Sequence, residues 1–278
     1  MAELKLEPTA ALVMRWALPL YIHEQEPIRQ FVKQLDLSSG QELQNKCESI
    51  CHWYGQVILN RKYFIKHAIE KLAASMKDCQ LVILAAGKSP LALELLVKRP
   101  EIQRIFEVDI SGMDEKMRLY RELIPDQLER ISCLTLDITS CSIIDEFEKN
   151  GYQRDVPTIL LLEGISYYLS KDALRKTLYH FRSEGKNAVV LEYLVPPQEV
   201  ELSRRHIPQR LFDLIRDESL VEEIRCYTEK ELRTLFTELG GGLENCHSMK
   251  DMELLRCKIN KYFQSHKEGW IECVVASI

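Results

Sequence analysis

Gln80-Leu-Val-Ile-Leu-Ala-Ala-Gly-Lys-Ser-Pro90, followed by a helical stretch and then by Ile105-Phe-Glu-Val-Asp109, is the part of the chain whose reading decides the fold. An apolar run of strand length stops at a small-residue turn, opens a helix and returns as a second strand ending in Asp. That is how a nucleotide-type cofactor is held in an α/β fold, so the stretch reads as the first βαβ unit of a cofactor-binding sheet.

The turn has its own physical logic. Ser89 can cap the helix by accepting from a free backbone N–H, and Pro90 suits the first helical position, where the N–H it lacks would be unpaired anyway. Ala85, Ala86 and Gly87 carry little or no side chain, so a ligand can lie close to the backbone at the positive end of that helix. Asp109 stands twenty-two residues after Gly87, where an acid accepts from ribose hydroxyls.

Three other readings of the turn compete. Gly87-Lys88-Ser89 resembles the end of a phosphate-binding P-loop, but that loop needs a glycine where the chain has Val82, inside the strand. The dinucleotide fingerprint wants glycines at 85, 87 and 90, and the chain offers Ala85, Gly87 and Pro90. A tight strand-to-helix turn with no ligand is the third.

Upstream, residues 9 to 35 read as helix, with breaks expected at Pro19 and Pro27, and Ser38-Ser39-Gly40 as a turn. Residues 41 to 76 carry apolar positions at helical spacing, among them Ile50, Trp53, Tyr54, Val57, Ile58, Phe64, Ile65, Ile69 and Leu72. Residues 1–78 are therefore expected to form an N-terminal helical cap, and residues 79–278 the α/β domain.

Downstream the alternation continues with a helix at 113–123, a strand at 131–136 ending in Asp137, a helix at 140–149 and a strand at 157–163. Thr158-Ile-Leu-Leu-Leu-Glu163 is apolar on both faces and ends in a carboxylate, as a central parallel strand facing a ligand would. Ser170 caps a helix running to about Arg182, and Ala188–Leu194 is the next strand. This predicts a doubly wound, mainly parallel sheet with Gly87, Asp109, Asp137 and Glu163 at the carboxyl ends of its strands, where such sheets bind ligands. Residues 196–223, with Arg204, Arg205, His206 and Arg210, interrupt the pattern as either a solvated face or a lid. Thr228 and Glu231 make a capping box for a helix ending before Gly240-Gly-Gly, and Leu243–Cys246 with Trp270–Ser277 close the sheet.

A 278-residue chain, 46% hydrophobic and 28% charged, can bury a sizeable core and has an ordinary globular composition. Its formal charge of -5 gives no basic field for nucleic acid, and no stretch approaches the length of a membrane span. The nine cysteines are scattered singly, with Cys47 and Cys51 the closest pair and no second pair to complete a metal site. Reduced thiols and an N-terminus without a signal-peptide core lead us to expect a cytoplasmic protein.

Four segments together resemble the leucine carboxyl methyltransferase-like family of class I S-adenosylmethionine-dependent methyltransferases. Asn60-Arg-Lys-Tyr-Phe-Ile-Lys66 is similar to its basic helix before the first strand, and Leu84-Ala-Ala-Gly87 to its glycine turn. Phe106-Glu-Val-Asp109 is similar to its acidic second-strand end, and Leu162-Glu-Gly-Ile-Ser-Tyr-Tyr-Leu169 to its Glu-Gly segment. The order and spacing match over residues 10 to 195. The resemblance implies a Rossmann-like, seven-stranded sheet and S-adenosyl-L-methionine as cofactor. It further implies that Lys66 pairs with the cofactor carboxylate, Ala85 and Gly87 line its amino-acid end, and Asp109 holds the ribose. Asp137 and the Ile138 backbone would take the adenine, and Glu163 the ammonium region. The chain departs from the family at Ala85, usually Gly, at Ser89, near which Asp is usual, and at Lys66, often Arg.

The expected reaction is methyl transfer to an oxygen of a small molecule or a chain-terminal carboxylate. A carboxylate acceptor needs no general base, whereas a hydroxyl does, with His206 and His180 as candidates. Tyr167 and Tyr168 either face the acceptor or pack as core aromatics. If the inserted segment is a lid, Arg204, Arg205 and Arg210 would face an anionic acceptor group. A different class of function, a methyltransferase-like fold that only binds or assembles, is favoured by the substituted glycine turn. An NAD-dependent dehydrogenase ranks last for want of the glycines.

Overall fold

The computed structural model describes residues 4–219 and 223–278. Residues 220–222, part of the expected insertion 196–223, lie outside them, as do residues 1–3 of the expected cap. The chain divides into two compact units that do not follow chain order. One is built from Met1–Ile65, Tyr193–Thr228 and His247–Cys273, the other from Lys66–Glu192, Glu229–Cys246 and Val274–Ile278.

In the first unit, β1 (Leu4–Lys5) pairs in parallel with β2 (Leu35–Asp36). Helices α1 (Pro8–Ala17), α2 (Glu26–Lys33) and α3 (Gln41–Ile50) precede the long α4 (Tyr54–Met76), which runs on into the second unit. Pro19 sits in a 3-10 turn after α1, as a helix breaker should, but Pro27 occupies the first turn of α2. It starts a helix instead of breaking one, because the missing N–H costs nothing there. The core of this unit is aromatic. Trp53 stacks on Tyr262 (centroids 5.5 Å apart) and meets Phe263 edge-on (5.4 Å), while Tyr54 packs against Trp16 (5.0 Å) and Trp270 (5.9 Å). Such pairs contribute about 0.5–1.5 kcal/mol each beyond the area they bury.

The second unit is built on the sheet. Among the described residues the sheet has seven strands: β3 (Cys79–Leu84), β4 (Ile102–Asp109), β5 (Ile131–Thr135), β6 (Thr158–Leu162), β7 (Ala188–Leu194), β8 (Gly242–His247) and β9 (Ile271–Ser277), of which Tyr193, Leu194, His247 and residues 271–273 fall in the first unit. Their order is β5-β4-β3-β6-β7-β9-β8, and β3 pairs in parallel with both β4 and β6. Ile278 N–H donates to Asn187 O (2.9 Å) and Val195 N–H to Trp270 O (2.9 Å), so β9 runs antiparallel to β7. Every residue of β3, β6 and β7 is buried, as strands covered on both faces by crossover helices must be.

Helices α5 (Leu91–Lys98), α6 (Met113–Leu123), α7 (Ile143–Lys149) and α8 (Lys171–Tyr179) alternate with these strands, and α10 (Glu229–Glu238) precedes β8. Ser170 Oγ accepts from Ala173 N–H (3.0 Å), which is the expected cap of α8. In the first unit, α9 (His206–Ser219) lies within the expected insertion, and α11 (Met249–Cys257) is an element the sequence reading leaves out.

The chain leaves β3 towards β4 and β5 on one side, then returns to the other side for β6 and β7. The topological switch point therefore lies between β3 and β6, and the crevice at their carboxyl ends is where such a sheet binds ligands.

Candidate functional site

The register fixes what meets at that crevice. Leu84 is level with both Val108 and Leu162, and Asp109 with Thr135, so Ala85, Asp109 and Glu163 leave the sheet at one edge. Asp109 is held by two backbone donors: Gly87 N–H reaches its Oδ2 (2.8 Å) and Ile110 N–H its Oδ1 (2.7 Å). The turn and the second-strand acid, twenty-two residues apart, are thus directly bonded.

The turn's backbone is unusual at both family positions. Gly87 has φ +51°, and a Cβ built there would meet nothing within 4 Å, so this backbone borders open space. Ala85 has φ +57°, the left-handed region that an L-residue enters at a cost. Ser89 Oγ accepts from Leu91 N–H (3.4 Å) and the Pro90 carbonyl from Glu94 N–H (3.0 Å), but Pro90 is itself the cap residue and α5 begins at Leu91, one residue later than the Ser-Pro pair predicts. Ala85→Gly removes the left-handed penalty of about 1–2 kcal/mol and loosens the unfolded chain by somewhat less. The expected result is a higher urea midpoint with undiminished cofactor affinity, and a lower midpoint would contradict it.

The remaining residues implied by the resemblance occupy the same unit. Asp137 Oδ1 accepts from the Thr139 N–H (2.8 Å) and hydroxyl (2.7 Å), and these bonds, the backbone one first, hold its carboxyl below the usual range. The buried Ile138 offers its carbonyl to Thr177 Oγ1 (3.1 Å). Lys66 Nζ donates to Glu94 Oε1 (2.5 Å), which also accepts from Lys98 Nζ (2.9 Å). Tyr167 and Tyr168 form a half-buried edge-to-face pair (4.6 Å) in the 3-10 turn after Glu163.

His206 and the arginines of the expected insertion belong to the other unit. Arg204 donates to the Tyr262 carbonyl (2.6 Å), pairs with Glu268 (3.4 Å) and lies over the Trp53 ring (5.3 Å). Arg205 donates to the carbonyls of Gln198 (2.8 Å) and Val200 (3.3 Å). Both guanidinium groups hold their own unit together, while His206 and Arg210 are exposed.

Two buried acids next to the site escape the sequence reading. Glu192 on β7 accepts from Gly164 N–H through Oε2 (2.6 Å), and its backbone carbonyl takes the Ser166 hydroxyl (2.7 Å), which fixes the turn after Glu163. Glu107 on β4 pairs with Lys116 Nζ (2.6 Å) and accepts from Tyr120 OH (2.9 Å). For Glu192 a lone carboxylate inside an otherwise apolar strand was the available signal, and for Glu107 a carboxylate within the apolar run Ile105-Phe-Glu-Val108.

Comparison with known proteins agrees with this architecture. The family model of leucine carboxyl methyltransferases matches residues 16–181. A structure from Thermobifida fusca YX, described as that of a candidate methyltransferase, superposes with TM-score 0.69 at 16% identity, covering 98% of this chain and 95% of that one. A DUF574 family protein from Streptomyces avermitilis MA-4680 gives 0.68 at 12% identity, over 98% and 97% of the two chains. Magnesium protoporphyrin IX methyltransferase from Synechocystis PCC 6803, with bound S-adenosylhomocysteine, gives 0.50 at 10% identity, over 80% and 84%. At these identities the likeness shows the fold. No curated protein matches the chain.

Proposed function

The chain belongs to the leucine carboxyl methyltransferase family of S-adenosylmethionine-dependent enzymes, and on that premise we propose that it binds S-adenosylmethionine at the carboxyl edge of β3, β4 and β6 and methylates an oxygen, foremost a carboxylate oxygen, of a small molecule or chain terminus. The observation that carries this reading is the Gly87–Asp109 bond beside open space at the switch point of the sheet. The residues present fit the cofactor. Carboxylates at the strand ends suit a donor-rich cation, and a bare backbone lets it approach.

When bound, the cofactor supplies a methyl group already activated by its sulfonium leaving group. The protein's part is to orient and to exclude water. Asp109 accepts from the ribose hydroxyls, Asp137 and the Ile138 backbone receive the adenine, and Glu163 faces the ammonium. Lys66 is assigned the cofactor carboxylate; an ammonium carries three donors, so its pairing with Glu94 is compatible with that role. Tyr167 and Tyr168 are proposed to line the acceptor.

A carboxylate acceptor is ionised near neutrality and needs no base, whereas a hydroxyl acceptor would call on a histidine. Mass spectrometry of mixtures of the protein, S-adenosylmethionine and a panel of carboxylic acids should reveal alkali-labile methyl esters. His206→Ala is expected to leave kcat/KM within about twofold, since no proton is transferred in the step. A large loss in that variant, or products that are stable to alkali, would move the assignment to a hydroxyl acceptor.

A second reading, a methyltransferase-like fold serving as a binding partner, is favoured by one observation. Ala85 stands in a left-handed conformation where the family has glycine. It predicts no binding of S-adenosylmethionine at all.

A further inference from the structure

The α6 helix holds the Gly87 turn through a second bond, separate from that of Asp109. Lys116 and Glu107 are fully buried and ion-paired, and Lys116 Nζ also donates to the Gly87 carbonyl (2.9 Å). One residue earlier on α6, Glu115 Oε2 pairs with Lys88 Nζ (2.7 Å). Gly87 is therefore tethered through both of its peptides, its N–H to the Asp109 carboxylate and its C=O to the Lys116 ammonium.

A glycine at positive φ with open space beside it has no side chain to limit its backbone, so whatever orients its peptides must come from elsewhere. A lysine without exposure is costly to bury unless its partners repay the desolvation. Here one partner is a carboxylate and the other is the carbonyl of the turn itself. Glu107 is in turn aimed by Tyr120 OH, one helical turn beyond Lys116 on the same face of α6.

We infer that Lys116 is a positioning residue: anchored on Glu107, its ammonium fixes the Gly87 peptide in the orientation that lets the turn and Asp109 receive a ligand together. The statement that this ligand is S-adenosylmethionine rests on the function proposed above, whereas the anchoring of the turn does not.

The test uses the full chain carrying Lys116→Met together with Glu107→Gln. The pair keeps both shapes, leaves no buried carboxylate without its cation, and lets the amide accept from Tyr120. Lys116→Met alone serves as the second variant. Amide hydrogen exchange at Gly87 and Lys88 is measured without ligand, and S-adenosylmethionine affinity by calorimetry. In the double variant, exchange at Gly87 should speed up by about tenfold or more, with Leu81–Leu84 unchanged, and cofactor affinity should fall by about tenfold, as loss of a charge-assisted bond implies. A purely structural role would let the melting temperature recover in the double variant and bring exchange and affinity back with it. Parental exchange at Gly87, or fast exchange with parental affinity, would overturn the inference. Fast exchange in the variant of a parent that itself binds no S-adenosylmethionine would uphold the anchor and reject the proposed function.

Discussion

Lys116→Met on its own is expected to lower stability by about 3 kcal/mol at pH 7, with the loss shrinking as the solution is made acidic. Glu107 then sits buried without its cation, and two outcomes compete. Keeping the charge costs about 3–5 kcal/mol, as for other buried pairs broken on one side. Taking up a proton costs about 1.4 kcal/mol for each pH unit above the ordinary carboxyl value of 4.5, or roughly 3 kcal/mol at pH 7, and is the cheaper route.

The direction follows from linkage. Burial already pushes the Glu107 carboxyl upward in the intact protein, against the pull of Lys116, Tyr120 and Cys133. Without Lys116 the folded state holds a proton that the unfolded chain releases above its own pKa. Stability of the variant therefore falls as pH rises, and its deficit should nearly vanish near pH 5. The neighbouring Tyr120 hydroxyl and Cys133 thiol are both pushed well up by burial and do not titrate in this window. Urea denaturation of both proteins at pH 5, 6 and 7 checks this, and a deficit independent of pH would show that Lys116 acts through packing instead of charge.

Asp109→Ala is expected to weaken S-adenosylmethionine binding by about 2 kcal/mol, some thirtyfold, because the ribose hydroxyls lose a charged acceptor in a partly buried site. The same substitution releases the Gly87 and Ile110 amides that Asp109 now holds. Asp109→Asn separates the two effects, since its carbonyl oxygen still accepts one bond, and it should retain part of the affinity. Titration calorimetry on the three proteins reads both changes. Equal affinities would remove the cofactor from this edge of the sheet.

Much of this was legible in the sequence, for identifiable reasons. The central strands β3, β6 and β7 are apolar runs bounded by turn residues, so β7 falls at Ala188–Leu194 as read, and α6 falls at Met113–Leu123 as read. The edge residues Ala85, Gly87, Asp109 and Glu163 followed from the same boundaries. Helix α11 did not, although Ser248 and Asp251 form its capping box and were visible as Ser-x-x-Asp. The gathering of residues 193–228 and 247–273 with the N-terminal helices depends on contacts far apart in the chain, which no local pattern carries. Arg204 and Arg205 looked like anion ligands because a cluster of guanidinium groups shows its charge in the sequence, while the backbone carbonyls that accept from them do not. Lys116 was hidden by its surroundings: in the polar run Met113-Asp-Glu-Lys-Met-Arg, nothing but its spacing to Tyr120 marks it as the residue that turns inward.

The central claim is that the chain binds S-adenosylmethionine at the turn between β3 and α5. Its most direct test is calorimetric titration of S-adenosylmethionine into the purified full chain, with Asp109→Ala alongside. Saturable binding with one cofactor per chain, weakened in the variant, is the predicted result. A parent protein that takes up no S-adenosylmethionine, while folded by its melting curve, would contradict it.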